Sequence, residues 1–217
     1  IHVAYYITLN GAYQHGELGT TYPIMRGSAP MIVALGSSAV LGETLAPAAW
    51  LGVCAITVGV FLVGLARPGE ALHHGRAIGF ALANAVVIAG YTFVDGSGVR
   101  SAVEHGATAA SYVLLLFVLD GLPYPALVVA RRSAEGRKAM VAYARRRWPL
   151  ATLGGLASLG SYWIALWAMT HAPVAAVSAL RETSVLFATA LSVLVLKERF
   201  GLQRAAGAVI IVGGVVA

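Results

Sequence analysis

Residues 26–60 read RGSAPMIVALGSSAVLGETLAPAAWLGVCAITVGV, and residues 181–215 read RETSVLFATALSVLVLKERFGLQRAAGAVIIVGGV. Laid on each other without gaps, at a shift of 155, they share nine identities over 35 positions. Arg26 falls on Arg181, Ser37 on Ser192, Val40 and Leu41 on Val195 and Leu196, Glu43 on Glu198, Gly52 on Gly207, Ile56 on Ile211, and Gly59 and Val60 on Gly214 and Val215. Apolar bias alone aligns several of these, but it does not align two arginines and two glutamates. A self-match at one fixed shift marks an internal repeat.

Both copies are largely apolar, and so is the chain around them. Of 217 residues, 59% are hydrophobic and 11% charged, with a mean hydropathy of +0.78. A soluble domain carries about 25% charged residues, and a disordered chain needs low hydrophobicity and high charge, so both classes are excluded. A bilayer core about 30 Å thick takes about 20 apolar residues as a helix. Eight runs approach that length: Ile1 to about His15, Thr20 to Gly42, Pro47 to Ala66, Ala77 to Val94, Ser111 to Ala130, Trp148 to Thr170, Val174 to Leu196, and Leu202 to Ala217, the first and last being short. Barrel strands would alternate over about ten residues, so the expected fold is all-α, a polytopic transmembrane helical bundle. Small residues four apart, such as Gly154 with Ser158 and Ala157 with Ser161, let helices approach closely. Pro30, Pro123 and Pro125 fall within runs and predict kinks or breaks. The first run has no charged leader and does not read as a signal peptide. A single cysteine, Cys54, allows no internal disulfide and no CxxC motif.

The net charge of +6 is concentrated in one place: seven of the fifteen Lys and Arg residues lie between Arg131 and Arg147, between two runs able to span. This reads as a topogenic loop rather than a nucleic-acid stripe, and no nucleic-acid partner is expected.

If the two copies are equivalent, the helix starting at Ala77 has its counterpart 155 residues earlier, about 78 residues before Ile1. Each half then holds five helices, and an odd number forces the second half to be inverted. Inverted repeats mark secondary transporters. Here the sequence resembles the EamA family of the drug/metabolite transporter superfamily, whose members have ten helices in two inverted five-helix halves. The shared motif is a glutamate after the fourth helix of each half followed by a glycine-spaced fifth helix. It appears as Leu41-Gly42-Glu43 with Gly52 and Gly59, and as Leu196-Lys197-Glu198 with Gly207 and Gly214. The resemblance implies that residues 1–66 are the last three helices of the first repeat and 77–217 the whole second repeat. The chain would then be a fragment lacking the first two helices. Tyr22-Pro23-Ile24-Met25-Arg26-Gly27 with Pro30 is similar to a subset of the family, some members of which are linked to phosphonate utilisation. What the family implies is a multi-pass protein of the cell (inner) membrane. It would move a small-molecule substrate through a central cavity, with the lipid bilayer as its other partner and the oligomeric state open.

An arginine within a span costs several kcal/mol unless it is paired or faces water, so Arg26 and Arg181 are expected to face the bundle interior. Each lies about 10 Å from the start of its span; with the halves inverted, the two would bracket the midplane at depths roughly 10 Å apart. Two guanidinium forks suit a carboxylate or phosphate group, and related organophosphate translocators carry basic residues on these helices. The alternative is that each arginine caps a broken helix or pairs with an acid such as Glu182 or Asp120. Asp120, followed by Gly121, Pro123 and Pro125, is a candidate proton site, or else a local turn or an arginine's partner. Glu182 adjoins Arg181, but helix neighbours do not face each other, so it is expected to contact a different helix, with proton coupling as a second candidate role. Glu43 and Glu198 read as structural acceptors for the start of the next helix. Tyr22, Tyr91, Trp163 and Trp167 are candidates for the cavity lining or for interface anchors.

No HExxH, GxSxG, Walker loop or clustered ligand motif occurs in the sequence, so no metal site, no cofactor and no enzyme activity is expected. An intramembrane enzyme with dispersed catalytic residues is the alternative to a carrier of small polar, zwitterionic or anionic metabolites. Two orientation signals conflict. The loops at 16–19, 67–76, 131–147 and 197–204 hold twelve Lys and Arg and those on the other side one, which places 131–147 in the cytoplasm. Family members have cytoplasmic termini, which places that loop outside.

Overall fold

The computed structural model describes residues 1–64, 75–196 and 201–217. It is helical, with no strand among the described residues. The helices are α1 (His2–His15), α2 (Leu18–Leu41), α3 (Pro47–Gly64), α4 (Gly75–Glu104), α5 (Ala109–Gly121), α6 (Pro123–Ala130), α7 (Ala134–Met169), α8 (Val174–Arg181), α9 (Ser184–Leu196) and α10 (Leu202–Val216). Among the described residues six stretches are long and apolar enough to cross a membrane: Thr21–Leu41, Pro47–Gly64, Gly75–Glu104, Ala109–Ala130, Ala134–Met169 and Val174–Leu191. The polytopic helical bundle expected from run length is what the chain forms.

Helix ends follow local chemistry. α2 stops at Gly42, whose φ of 67° is left-handed and whose N–H donates to Ser37 O, a conformation glycine adopts without a Cβ penalty. Thr108 and Ser111 form a reciprocal capping box at the start of α5, and Ser133 accepts from Gly136 N at the start of α7.

Several boundaries differ from the sequence reading. The stretch 131–147 is not a loop: α7 starts at Ala134 and runs unbroken through Arg137, Lys138 and Arg145–Arg147, all exposed. Alanine, arginine and lysine are strong helix formers, and polarity there marks solvent rather than chain conformation. Likewise α4 continues past Val94 to Glu104, so Asp95 and Arg100 are helical. The run 111–130 does break, at Leu122 before Pro123, where proline fits the first helical turn. By contrast α2 stays helical through Pro23 and Pro30. The run 174–196 breaks after Arg181, where N–H groups of Glu182, Thr183, Val185 and Leu186 bond three residues back instead of four. There the Thr183 hydroxyl donates to Leu180 O at 2.7 Å, a local bond that competes with the helical ladder.

The described chain divides into two compact units, residues 1–97 with 172–217, and residues 98–171. In the first, α3 and α10 pack along their length, antiparallel and glycine on glycine. A Cβ at Gly52 would stand 2.7 Å from Gly214 O, and one at Gly214 would stand 2.9 Å from Gly52 O. A Cβ at Gly59 would stand 2.8 Å from Gly207 O, and one at Gly207 would stand 2.8 Å from Gly59 O. Only glycine lets the backbones meet this closely. α1 is tied to α4 by Asn84 Nδ2, which donates to Tyr5 O at 2.9 Å and Thr8 Oγ1 at 2.8 Å, and Ala12, Ile24, Met25 and Ala81 fill the space between α1, α2 and α4. In the second unit α5 packs on α7, Phe117 meets Tyr162, and Arg100 Nε donates to Met169 O at 2.7 Å. Leu114, Leu115, Val118, Leu119, Leu150 and Leu153 point outward from it, as side chains covered by lipid do.

Candidate functional site

The strongest concentration of buried charge lies in the first unit, between α2 and the break after α8. Arg26 occupies the first half of α2, and Pro30, four residues on, lacks the N–H that would bond the Arg26 carbonyl. Arg26 Nε stands 2.9 Å from Glu182 Oε2, with side-chain exposures of 20% and 4%. The contact is an ion pair off the line of an aligned hydrogen bond. Glu182 thus faces α2, a helix other than its own, and its neighbour Arg181 is half-buried. Turning the chain at Glu182–Thr183 aims the carboxylate at α2.

Three tyrosines lie near the pair. Tyr5, Tyr22 and Tyr91 lie within electrostatic reach of Arg26, and Arg181, Arg26, Glu182 and Asp95 all act on the Tyr91 phenol. Tyr91 stacks on His2 at 5.1 Å and meets Tyr5 edge-on at 6.2 Å, packing with Ala29, Ala85 and Ile88. Asp95 is 3% exposed. Thus two arginines and two acids from α2, α4 and the α8–α9 break share one neighbourhood.

Of the residues singled out from sequence, Arg26, Arg181, Glu182 and Tyr91 come together, and Tyr22 lies near them with 37% exposure. Asp120 is half-buried in the second unit, as the penultimate residue of α5; Trp163 and Trp167, on α7 of the same unit, are 45% and 51% exposed. Glu43 accepts from Val174 N through both carboxylate oxygens at 3.1 Å. The helix it caps is α8, 131 residues away in sequence, and not the next helix in the chain, as expected from the sequence. Glu198 lies outside the described residues. Sequence reading missed Asn84, Asp95 and Tyr5. A signal for the first two existed: Asn84, Ile88, Tyr91 and Asp95 are spaced by four, three and four residues, one face of a helix, and all four are buried.

A cleft of about 350 Å³ opens where α3, α8 and α10 meet, lined by residues such as Ala49, Gly52, Ala179, Leu180 and Ala217. It carries no charged side chain, so the chemistry lies with Arg26 and Glu182. Among the described residues no group of three or more His, Cys, Asp or Glu is placed to hold a metal ion.

The model of the EamA-like transporter family matches residues 75–217, from the start of α4 to the end of α10. The chain belongs to the EamA-like transporter family. It is accordingly a multi-pass membrane protein of the drug/metabolite transporter superfamily, whose members are transporters rather than enzymes. Neither a curated protein nor a solved structure matches the chain. The family match starts after α3, so Gly52, Gly59, Arg26 and Glu43 stand outside it and are tied to the second repeat by sequence identity and by their contacts.

Proposed function

We propose that this EamA-like protein is a secondary transporter of the cell (inner) membrane. It moves small polar, zwitterionic or anionic metabolites by alternating access between two inverted halves, residues 1–66 being the last three helices of the first and 77–217 the whole of the second. Arg26 and Arg181 form the substrate-binding pair, Tyr22, Tyr91, Trp163 and Trp167 line the path, and Asp120 and Glu182 are the proton-coupling candidates. Glu43 and Glu198 serve structure.

One observation carries this reading. A guanidinium that is expensive in a membrane span is held inside the bundle against an acid from the equivalent span of the other half, beside a second arginine and a buried tyrosine. The reciprocal contacts of Gly52 with Gly214 and Gly59 with Gly207 support the inverted arrangement. They pair each repeat position with the counterpart of the other, as a pseudo-two-fold axis in the membrane plane requires.

The test is counterflow in proteoliposomes preloaded with anionic, zwitterionic and neutral metabolites. Wild type is expected to show trans-stimulated exchange, with at least about tenfold loss in Arg26→Gln and Arg181→Gln, since charge-assisted pairs are the strong ones. Unchanged exchange in both variants would return the arginines to a structural role, and conversion of the loaded compound would favour the enzyme reading.

A further inference from the structure

Buried ion pairs are poor stabilisers: apolar side chains of like volume hold a fold as well or better. The Arg26–Glu182 pair therefore calls for another reason to exist. The repeat sharpens the question, because the position matching Glu182 in the first copy is Gly27, packed against Phe61. The arginine belongs to both copies, whereas the acid is an addition to one. It lies at a break in the helix, the place where a backbone can re-aim a side chain with least disturbance of neighbouring turns.

Resting on the transport reading above, we infer that the Arg26–Glu182 pair is the seat of a zwitterion, opened by the substrate so that Arg26 takes its carboxylate and Glu182 its ammonium group. Among the described residues, the charged groups that act on Tyr91 are Arg26 on α2, Arg181 at the end of α8, Glu182 after it and Asp95 on α4, two of each sign. A lone carboxylate bound at Arg26 would take from Glu182, 4% exposed, the cation that stands 2.9 Å from it and leave only the neighbouring Arg181. A lone amine bound at Glu182 would orphan Arg26 in the same way, and an uncompensated buried charge is the costly outcome. A zwitterion leaves the balance untouched and turns one ion pair into two. The pair is thus an internal copy of its own ligand: the Glu182 carboxylate shows, at 2.9 Å from Nε, where the substrate's carboxylate goes. Tyr5 and Tyr91, which meet edge-on, lie within electrostatic reach of Arg26 and supply aromatic surface for the rest of the molecule.

The experiment measures binding to the purified protein in detergent with two matched trios. One is alanine, propionate and ethylamine; the other is phenylalanine, 3-phenylpropionate and 2-phenylethylamine. Within each trio the second compound lacks the amine and the third lacks the carboxylate. Wild type should bind an amino acid about tenfold or more tighter than either truncated partner, the amount one charge-assisted contact supplies. Glu182→Gln should weaken the amino acid by about as much and strengthen the carboxylate, and Arg26→Gln should weaken the amino acid and strengthen the amine. Should Arg26→Gln fail to fold, Arg26→Lys keeps the charge and should keep the wild-type order, while Glu182→Gln alone still carries the crossed preference. The same ranking in wild type and Glu182→Gln, a joint loss of amino acid and carboxylate in that variant, or no binding of any of the six compounds overturns the inference. If vesicles nonetheless exchange an organophosphate or a neutral metabolite, the transport reading stands and the zwitterion seat alone falls.

Discussion

The α3–α10 seam and the crossing of α2 with the α8–α9 break are built from the same repeat and use it in opposite ways. Along the seam the copies agree: Gly52 and Gly207, Ile56 and Ile211, Gly59 and Gly214 are identical, and each glycine meets the backbone of the other glycine's counterpart, Gly52 with Gly214 and Gly59 with Gly207. At the crossing the copies agree at one residue and part at the next, arginine in both at 26 and 181, then Gly27 against Glu182. Symmetric positions build the framework, where two inverted copies must fit each other. The asymmetric position introduces charge, an acid beside the arginine in one copy only.

The largest effect expected from breaking this contrast is at the crossing. Arg26→Met leaves Glu182 as a buried lone carboxylate and should cost about 3–5 kcal/mol of stability, read as thermal unfolding in detergent. Adding Glu182→Met should restore most of that stability while substrate exchange stays lost, which separates holding the fold from holding the ligand. Next comes the seam. Gly207→Ala places a methyl 2.8 Å from Gly59 O and from Val63 N, backbone atoms that cannot rotate away, and should cost about 1–3 kcal/mol. Gly154→Ala, where the added methyl meets nothing within 4 Å, should leave the unfolding temperature within error. The smallest expected loss is at the cap: Glu43→Ala removes the acceptor of Val174 N and should cost about 0.5–2 kcal/mol, with Glu43→Gln recovering part of it. Equal losses at Gly207 and Gly154 would remove the distinction between seam and open glycines.

The helical architecture was legible because run length is a direct consequence of bilayer thickness, and Gly42, Pro123 and the capping residues announce their boundaries chemically. The glycine spacing was legible as a pattern, although only the structure showed that each glycine is opposed by another. Arg26 and Arg181 stood out because charge is expensive in a span. Their partners did not. Several acids were available to them, and the choice of Glu182 depends on a helix break with no proline or glycine to mark it, made by local bonds around Thr183. Asp95 was hidden in a stretch polar enough to read as loop, Asp95-Gly96-Ser97-Gly98, although the helix carries on through it because Gly96 and Gly98 lie against Val174 and Tyr112. Nor did the sequence say which helix Glu43 caps, since an N-terminus brought near in space leaves no trace in spacing.

The bonds at the two ends of α3 have a mechanical meaning. Just before its start, Glu43 holds the first turn of α8; near its end, Gln203 at the foot of α10 donates to Leu62 O at 3.0 Å. Between these fastenings the glycine seam leaves no slack for sliding. α3 is thus yoked to helices more than a hundred residues further along the chain, and kinematically it travels as cargo of that later half. Any rocking between halves has to be taken up on the α2 side of Glu43, at Leu41–Gly42, where α2 ends.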